Sequence, residues 1–452
     1  MVTKEIDMKL EFYGVSKSNL KSGIALNVST ATMNRQIKNI VEKKTSNMLD
    51  WIELPDMSEK EHIVLEEIAR TARKMSDFVV LGIGGSALGI RMLADTFVDS
   101  VHARPKTKVT VCDNIDGDKF LSLLSGLNLK KTMFNVITKS GSTSETLAQM
   151  LIVIDMLKAK KIDYRKHFIV TTTEGNDLWN WALNEGIPVL SIPRGVGGRF
   201  SIFSSVGLLP ARVMGLDIRE LLRGARVARE YCLKPDSSNI AYLCAHINYT
   251  YLKKDLTNLV TMPYSDRLAL LPEFFAQLWA ESLGKMLNRK SEKVYAGQTP
   301  IKTIGVTDQH SQLQLYSEGP KDKLVMFIRV DKVDSDVKIA TSLPFADHLC
   351  GCSLKELMDY EYNATAYSLT TLDRPNYTLA LDNISEASVG ELVFMLEMMT
   401  AFMGEMMDIN AYDQPGVELS KLYTKAMLGV KVQQEKAKEI KDYMKNKKKF
   451  IV

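Results

Sequence analysis

Short apolar runs alternate with helix-length segments along most of this chain, and that alternation leaves few folds open to it. The runs are rich in valine, isoleucine, threonine and aromatic residues, as is typical of buried strands. The first five lie at residues 78–81, 109–111, 134–137, 168–172 and 188–192. Repetition of strand, helix and strand predicts an α/β protein with a parallel sheet that helices cover on both faces.

A second series of runs predicts a second sheet. A helical bridge from about residue 202 to 254 leads to its candidate strands, which are residues 259–262, 303–306, 325–330 and 378–381. Because 452 residues exceed one comfortable core, we predict two α/β domains with parallel-sheet cores and with helices at both ends of the chain. The predicted division is a helical arm (1–75) that packs on the second domain, a smaller domain (76–200), a larger domain (201–430) and a basic C-terminal helix (431–452).

The composition is that of an ordinary soluble protein, with 45% hydrophobic and 25% charged residues. Five scattered cysteines without zinc-site spacing favour a reducing cytoplasm.

The methionine-rich stretch 393–407 is interrupted by Glu397 and Glu405, so we do not interpret it as a bilayer span. The lysine-rich segment 431–452 is typical of a solvated helix, and we therefore expect neither a nucleic-acid nor a membrane partner.

Two turns of small residues follow predicted strands and lead into amphipathic helices. They are residues 82–86, which include Gly85 and Ser86, and residues 138–143. Small residues let the backbone approach an anion, while hydroxyls and helix N-terminal amides can bind its oxygens. If the two strands are neighbours, both turns face one phosphate group.

Neither turn has a familiar nucleotide-binding spacing. Ala87 stands where a dinucleotide fingerprint has its third glycine; alanine is sometimes tolerated there, so a dinucleotide-binding (Rossmann) site stays open as an alternative. Asp113 is the sole candidate for the acidic residue that such a site needs, and it lies rather far along the chain. Lys139 precedes the glycine of the second turn, which excludes a Walker motif. Either turn alone is more typical of an ordinary strand-to-helix connection, by about two to one, but the pair favours phosphate.

Arg199 and Glu281 are the first two candidates for catalytic residues. Arg199 follows two glycines after the last strand of the first series, and a guanidinium suits an oxyanion, although a lone arginine there is often a surface ion-pair member. Glu281 lies one helical turn after Gln277 among apolar neighbours. A partly buried carboxylate can serve as a base near neutral pH. The alternative is an exposed helix pair between Glu281 and Lys285.

His310 and Lys421 are two further candidates. His310 comes just after the predicted strand 303–306, where a histidine is well placed for proton transfer. Lys421 lies about one turn into a helix that begins near Pro415. The other five histidines show no metal-ligand spacing, so we predict no metal site.

The order of these segments resembles that of the glucose-6-phosphate isomerase (phosphoglucose isomerase) family, in its shorter bacterial form. The matching segments are residues 81–89, 138–146, 196–208, 277–285, 307–315 and 413–421. The resemblance implies two sugar-isomerase (SIS) α/β domains, a cytoplasmic homodimer and no cofactor. It also implies interconversion of glucose 6-phosphate and fructose 6-phosphate through a cis-enediol.

The resemblance also assigns residues to roles. It implies that Glu281, His310, Lys421 and Arg199 are catalytic. It implies that substrate is bound by Gly85, Ser86, Thr138, Lys139, Ser140, Thr143, Gln277 and Gln414. In the family the histidine reaches the site from the other subunit. This chain departs from the family pattern at Leu283, where the family has asparagine.

Two alternatives belong to other functional classes. A non-catalytic sugar-phosphate-binding regulator could share the fold and both turns, but it would not need Glu281, His310 and Lys421 together. The isomerase half of a glucosamine-6-phosphate synthase would accompany an N-terminal cysteine nucleophile, whereas this sequence begins with Met1 and Val2.

Overall fold

The computed structural model describes residues 6–42, 50–98, 106–430 and 434–447. The strands in these residues are β1 Met8–Glu11, β2 Asp77–Leu81, β3 Lys108–Cys112, β4 Thr132–Ile137, β5 Phe168–Thr172, β6 Val189–Ser191, β7 Asn258–Tyr264, β8 Lys285–Leu287, β9 Lys293–Ala296, β10 Thr299–Lys302, β11 Lys323–Val330 and β12 Asn376–Leu381. The helices are α1 Thr30–Glu42, α2 Glu59–Ala72, α3 Leu88–Phe97, α4 Gly117–Gly126, α5 Ser144–Ala159, α6 Asp177–Asn184, α7 Ser205–Met214, α8 Ile218–Cys232, α9 Ile240–Leu252, α10 Leu271–Leu283, α11 Leu313–Glu318, α12 Leu354–Thr371, α13 Glu386–Met406, α14 Glu418–Met427 and α15 Gln434–Lys447.

The first sheet has the order β3-β2-β4-β5-β6, and all its neighbouring strands are parallel. It contains the five strands predicted for the first half of the chain, which confirms the α/β class. The chain order reverses at β2, because β3 lies on one side of it and β4 on the other. The carboxyl ends of β2 and β4 therefore flank the topological switch point, where open α/β sheets bind their ligands.

The second sheet has the order β1-β12-β11-β7-β10, in which β1 alone is antiparallel to its neighbour. The N-terminal arm was predicted as helical, and it contributes this edge strand as well as helices. The strand predicted at 303–306 was wrong, since β10 ends at Lys302. Pro300 weakens the strand signal of β10, but a proline is tolerated on this sheet edge because its missing N–H removes no ladder bond. The domain limits stated above stay a prediction.

Helix α13 forms the centre of the main core and packs against α1, α8, α9 and α10. Its backbone approaches α8 closely at two glycines. A Cβ on Gly224 would lie 1.8 Å from the Ala387 carbonyl oxygen, and one on Gly390 would lie 2.0 Å from that of Leu221. Among the described residues α13 alone is long and apolar enough to span a membrane, and its most apolar window is wholly buried in the protein.

Glu397 is a fully buried acid in the middle of α13. Both its carboxyl oxygens lack a hydrogen-bond partner among the described residues. Burial raises its pKa well above the ordinary glutamate value. The folded protein therefore holds this proton more tightly than the unfolded chain does. The stability that results is full below the unfolded pKa and is lost as the pH rises above it.

We expect Glu397→Gln to flatten the fall in unfolding free energy between about pH 5 and pH 8, because the variant cannot ionise. Glu397→Met also removes the unsatisfied polar atoms, and we expect it to raise the unfolding free energy at neutral pH by about 1–3 kcal/mol. Urea denaturation at several pH values measures both effects, with the exposed Glu67→Gln as a control. An unchanged pH dependence in Glu397→Gln would contradict the prediction.

Candidate active site

A cavity of about 870 Å³ lies at the carboxyl edge of the first sheet. Its walls are the turns after β2 and β4, the loop after β5, the turn that contains Arg199, one face of α10 and the start of α14. Eleven of the twelve predicted site residues line it: Gly85, Ser86, Thr138, Lys139, Ser140, Thr143, Arg199, Gln277, Glu281, Gln414 and Lys421. The exception is His310.

The two turns meet as expected because β2 and β4 are adjacent in the sheet. Gly85 has no room for a side chain, since a Cβ there would lie 2.2 Å from the Gly198 carbonyl carbon. Gly141 has a φ of +68°, which favours glycine. The Thr143 hydroxyl lies 2.7 Å from that of Thr138 rather than on the first amides of α5. Those amides therefore remain available to an anion at the helix N-terminus.

Two threonines of this wall were missed by the sequence reasoning. Thr146 and Thr173 line the cavity, and their hydroxyls are buried and lack a hydrogen-bond partner among the described residues. Thr146 lies in the first turn of α5, directly after the phosphate-type turn. A hydroxyl residue at that place in the helix was the available signal. Buried hydroxyls without partners are costly unless a ligand or water satisfies them.

Lys139 is the half-buried cation of the cradle. Burial lowers its pKa, the Asp50 carboxylate opposes that shift, and the Arg199 charge adds to it. It lines the same cavity as the hydroxyl residues of the second turn. This composition suits a phosphate dianion, which needs both donors and positive charge.

Arg199 lies in a short 3-10 turn, Gly198–Phe200, and its side chain is 1% exposed. Burial lowers its pKa, while the carboxylates of Glu281 and Asp413 oppose that shift. The guanidinium donates to four oxygens at 3.0 Å or less: Ser282 Oγ at 2.7 Å, Gln414 Oε1 at 2.8 Å, the Ala411 carbonyl at 2.7 Å and the Asp413 carbonyl at 3.0 Å. Arg199 is thus an internal residue that joins α10 to the turn before α14, not a surface ion-pair member.

The Glu281 carboxylate is held at the cavity wall between two donors. Gln277 Nε2 donates to its Oε1 at 3.0 Å, and Arg199 Nη1 lies 3.5 Å from its Oε2. The side chain remains 30% exposed. The alternative of an exposed Glu281–Lys285 pair is wrong, because the Lys285 ammonium bonds the Glu281 backbone carbonyl instead. The carboxylate therefore faces the cavity and can exchange a proton with a ligand there.

Lys421 and His310 differ in their relation to this site. Lys421 lies in the first turn of α14, and its ammonium is 2.8 Å from Glu418 Oε1 at the cavity mouth. His310 is exposed at the end of the 3-10 turn Thr307–His310 and does not line the cavity of its own chain. Within one chain, the structure therefore separates the predicted histidine from the other eleven residues.

The departure from the family pattern at Leu283 has a packing explanation. Leu283 is fully buried in the main hydrophobic cluster at the end of α10. An apolar side chain here adds to the packing that holds the helix.

No group of three histidine, cysteine or acidic side chains suited to a metal ion occurs in the described part of the chain.

The model of the phosphoglucose isomerase family matches residues 59–449. A glucose-6-phosphate isomerase from Carboxydothermus hydrogenoformans is 45% identical over 88% of this chain and 89% of its own. A crystal structure of a hypothetical protein from Thermus thermophilus is 35% identical, with a TM-score of 0.85, over 93% of this chain and all of that one. A glucose-6-phosphate isomerase structure from Chlamydia trachomatis, at 22% identity, shares the fold with a TM-score of 0.80 over 92% of this chain and 88% of its own. The match over most of the chain and the extent of identity agree, and the chain belongs to the phosphoglucose isomerase family.

Proposed function

We propose that this protein interconverts glucose 6-phosphate and fructose 6-phosphate, as a step of glycolysis and gluconeogenesis in the cytoplasm. The observation that carries the proposal is one cavity with an anion cradle on one wall and the Glu281 carboxylate on another. Relatives over most of the chain length are named glucose-6-phosphate isomerase, which supports the same reaction.

The phosphate group binds between the two turns in this proposal. Ser86, Ser140 and Thr143 offer hydroxyls, the start of α5 offers amides, and Lys139 offers charge. Thr146 adds a buried hydroxyl that is otherwise unsatisfied. With the phosphate held there, the carbon chain of an open sugar extends across the cavity toward α10.

The sugar ring opens before isomerisation. Opening transfers a proton from the anomeric hydroxyl to the ring oxygen. We assign this step to His310, assisted by Lys421, because both side chains can exchange protons or donate hydrogen bonds to sugar oxygens.

Glu281 then transfers a proton between C2 and C1. The carboxylate removes the C2 proton of the aldose, and the electron pair moves to the carbonyl to give a cis-enediol. The same group returns the proton to C1, while the hydroxyl proton moves from O2 to O1, so atoms and charge balance. Negative charge develops on oxygen in this step, and the adjacent Arg199 guanidinium stabilises it. Gln277 and Gln414 orient the carboxylate and the guanidinium, and contact the sugar.

A homodimer is part of the proposal because His310 is exposed and does not line the cavity of its own chain. In a twofold dimer the same surface of each subunit faces the other, so each His310 can enter the partner's site. One chain then supplies Glu281, Arg199 and Lys421, and the other supplies the histidine.

Mixing two inactive variants tests this arrangement. Glu281→Gln and His310→Ala homodimers each have two defective sites. A mixed dimer has one site that lacks both groups and one intact site. After subunit exchange we expect about a quarter of wild-type activity, because half of the dimers are mixed and each has one good site. Activity that stays at the level of the parents would contradict a shared site.

The function itself is tested by a coupled assay that converts fructose 6-phosphate to glucose 6-phosphate in the presence of a chelator. We expect turnover that the chelator does not change. Binding of fructose 6-phosphate without turnover would favour the regulator alternative. Loss of activity with the chelator would contradict the metal-free mechanism.

A further inference from the structure

Lys285 is a buried lysine that follows α10 and begins β8, four residues after Glu281. Its side chain is 5% exposed. The ammonium donates to the backbone carbonyl of Glu281 at 2.5 Å and to that of Asp413 at 2.9 Å. It also lies 3.5 Å from Asp413 Oδ1. Lys285 thus bonds the helix that carries the proposed base and the turn that carries Gln414.

The Asp413 carbonyl accepts from two cations. Lys285 approaches it from α10, and Arg199 Nη2 donates to it at 3.0 Å. The next residue, Gln414, accepts from Arg199 Nη1. The two cations therefore bond the turn at its consecutive residues Asp413 and Gln414. Asn410 Nδ2 also donates to Asp413 Oδ2 at 3.0 Å.

This arrangement has an electrostatic cost. Burial lowers the pKa of Lys285, and the nearby Arg199 charge lowers it further, while Asp413 opposes both. The carbonyls at a helix end can be satisfied by one lysine or by a neutral donor, so the fold alone does not require two buried cations side by side. Residues whose placement lowers the stability of the fold are expected at functional sites.

We propose that Lys285 is a positioning residue for the isomerase reaction, which fixes the Glu281 segment of α10 against the turn of Gln414 through the two backbone carbonyls. Lys285 need not touch the substrate. It sets the distance between the Glu281 carboxylate and the Arg199 guanidinium, which are 3.5 Å apart. Displacement of a reacting group by about 1 Å can lower a rate about 100-fold. This inference rests on the function proposed above.

The test compares Lys285→Met with Lys323→Met in the coupled assay. Lys323 also has a largely covered side chain, 9% exposed beside Asp322, but it lies at the start of β11 and outside the cavity. We expect Lys285→Met to lower kcat about 10- to 100-fold with KM within about threefold, since the phosphate cradle is unchanged. Lys323→Met should keep kcat within about twofold of wild type.

Two more variants keep the test decisive if Lys285→Met does not fold. Lys285→Arg keeps a cation with several donors, and we expect it to retain at least about a third of wild-type kcat. Asp413→Asn removes the ion pair but keeps the carbonyl, so its kcat should stay within about threefold. A tenfold loss in Asp413→Asn would attribute the effect to the ion pair and overturn the proposal.

Further results would also overturn it. One is a Lys285→Met kcat within about twofold of wild type. Another is a Lys285→Met variant whose affinity for sorbitol 6-phosphate, an open-chain analogue, falls by the same factor as its kcat when measured by calorimetry. Equal losses would indicate a damaged fold. Wild type is measured in the same assay. An inactive wild type overturns the proposed function, whereas an active wild type with an active Lys285→Met overturns this inference alone.

Discussion

Glu281→Gln is expected to lower kcat by about 10³-fold or more, while the affinity for fructose 6-phosphate should change by less than about threefold. The amide keeps the shape of the side chain but cannot take a proton from carbon. The phosphate cradle lies on a different wall of the cavity, so binding should survive. Steady-state kinetics and calorimetry measure the two effects separately.

Exchange of the transferred hydrogen gives a second measurement. Wild type incubated with fructose 6-phosphate in deuterium oxide should introduce deuterium at C1, and Glu281→Gln should not. Glu273→Gln is the matched control, because Glu273 lies on the same helix but pairs with Arg91 and Lys302 outside the cavity. Exchange in Glu281→Gln at the wild-type rate would remove this residue from the role of base.

Arg199→Lys is expected to lower kcat about 10²- to 10³-fold, because the enediol loses a guanidinium that is fixed in place before the reaction. A lysine keeps the charge but cannot reach Ser282, Gln414 and the 411–413 carbonyls at once. We also expect a lower melting temperature, since acceptors of a buried guanidinium are left unpaired.

Arg212→Lys separates the catalytic effect from the structural one. Arg212 is partly buried and, like Arg199, donates several hydrogen bonds: two of its nitrogens bond Glu66, outside the cavity lining. The Arg212→Lys variant should have a lower melting temperature but an unchanged kcat, when kcat is calculated from the concentration of folded protein. An equal kcat loss in both variants would contradict a specific role for Arg199.

The sequence could predict most of the first sheet because its strands are continuous apolar runs with ordinary helices between them. It could not place β10, because Pro300 interrupts the run, nor β1, whose structure depends on pairing with β12. Strand formation at such places is decided by distant partners rather than by local residues.

The candidate site followed from motif order and family resemblance, and the structure brought eleven of the twelve residues together. Thr146 and Lys285 were missed for a different reason. Thr146 matters because its buried hydroxyl is unsatisfied, and Lys285 matters because two carbonyls converge on it. Neither property exists in the linear sequence. The place of His310 depends on a second chain, which no single-chain pattern contains.

The pairing of β1 with β12 has a consequence for synthesis on the ribosome. The first sheet is built from one contiguous stretch, β2 to β6, and can form while the rest of the chain is still being made. The second sheet needs Met8 opposite Leu381, so its first strand leaves the ribosome long before its partner exists. Until then the N-terminal strand carries unpaired backbone groups. We therefore expect nascent chains to acquire protease resistance in the first sheet early, and in the second only near the end of translation.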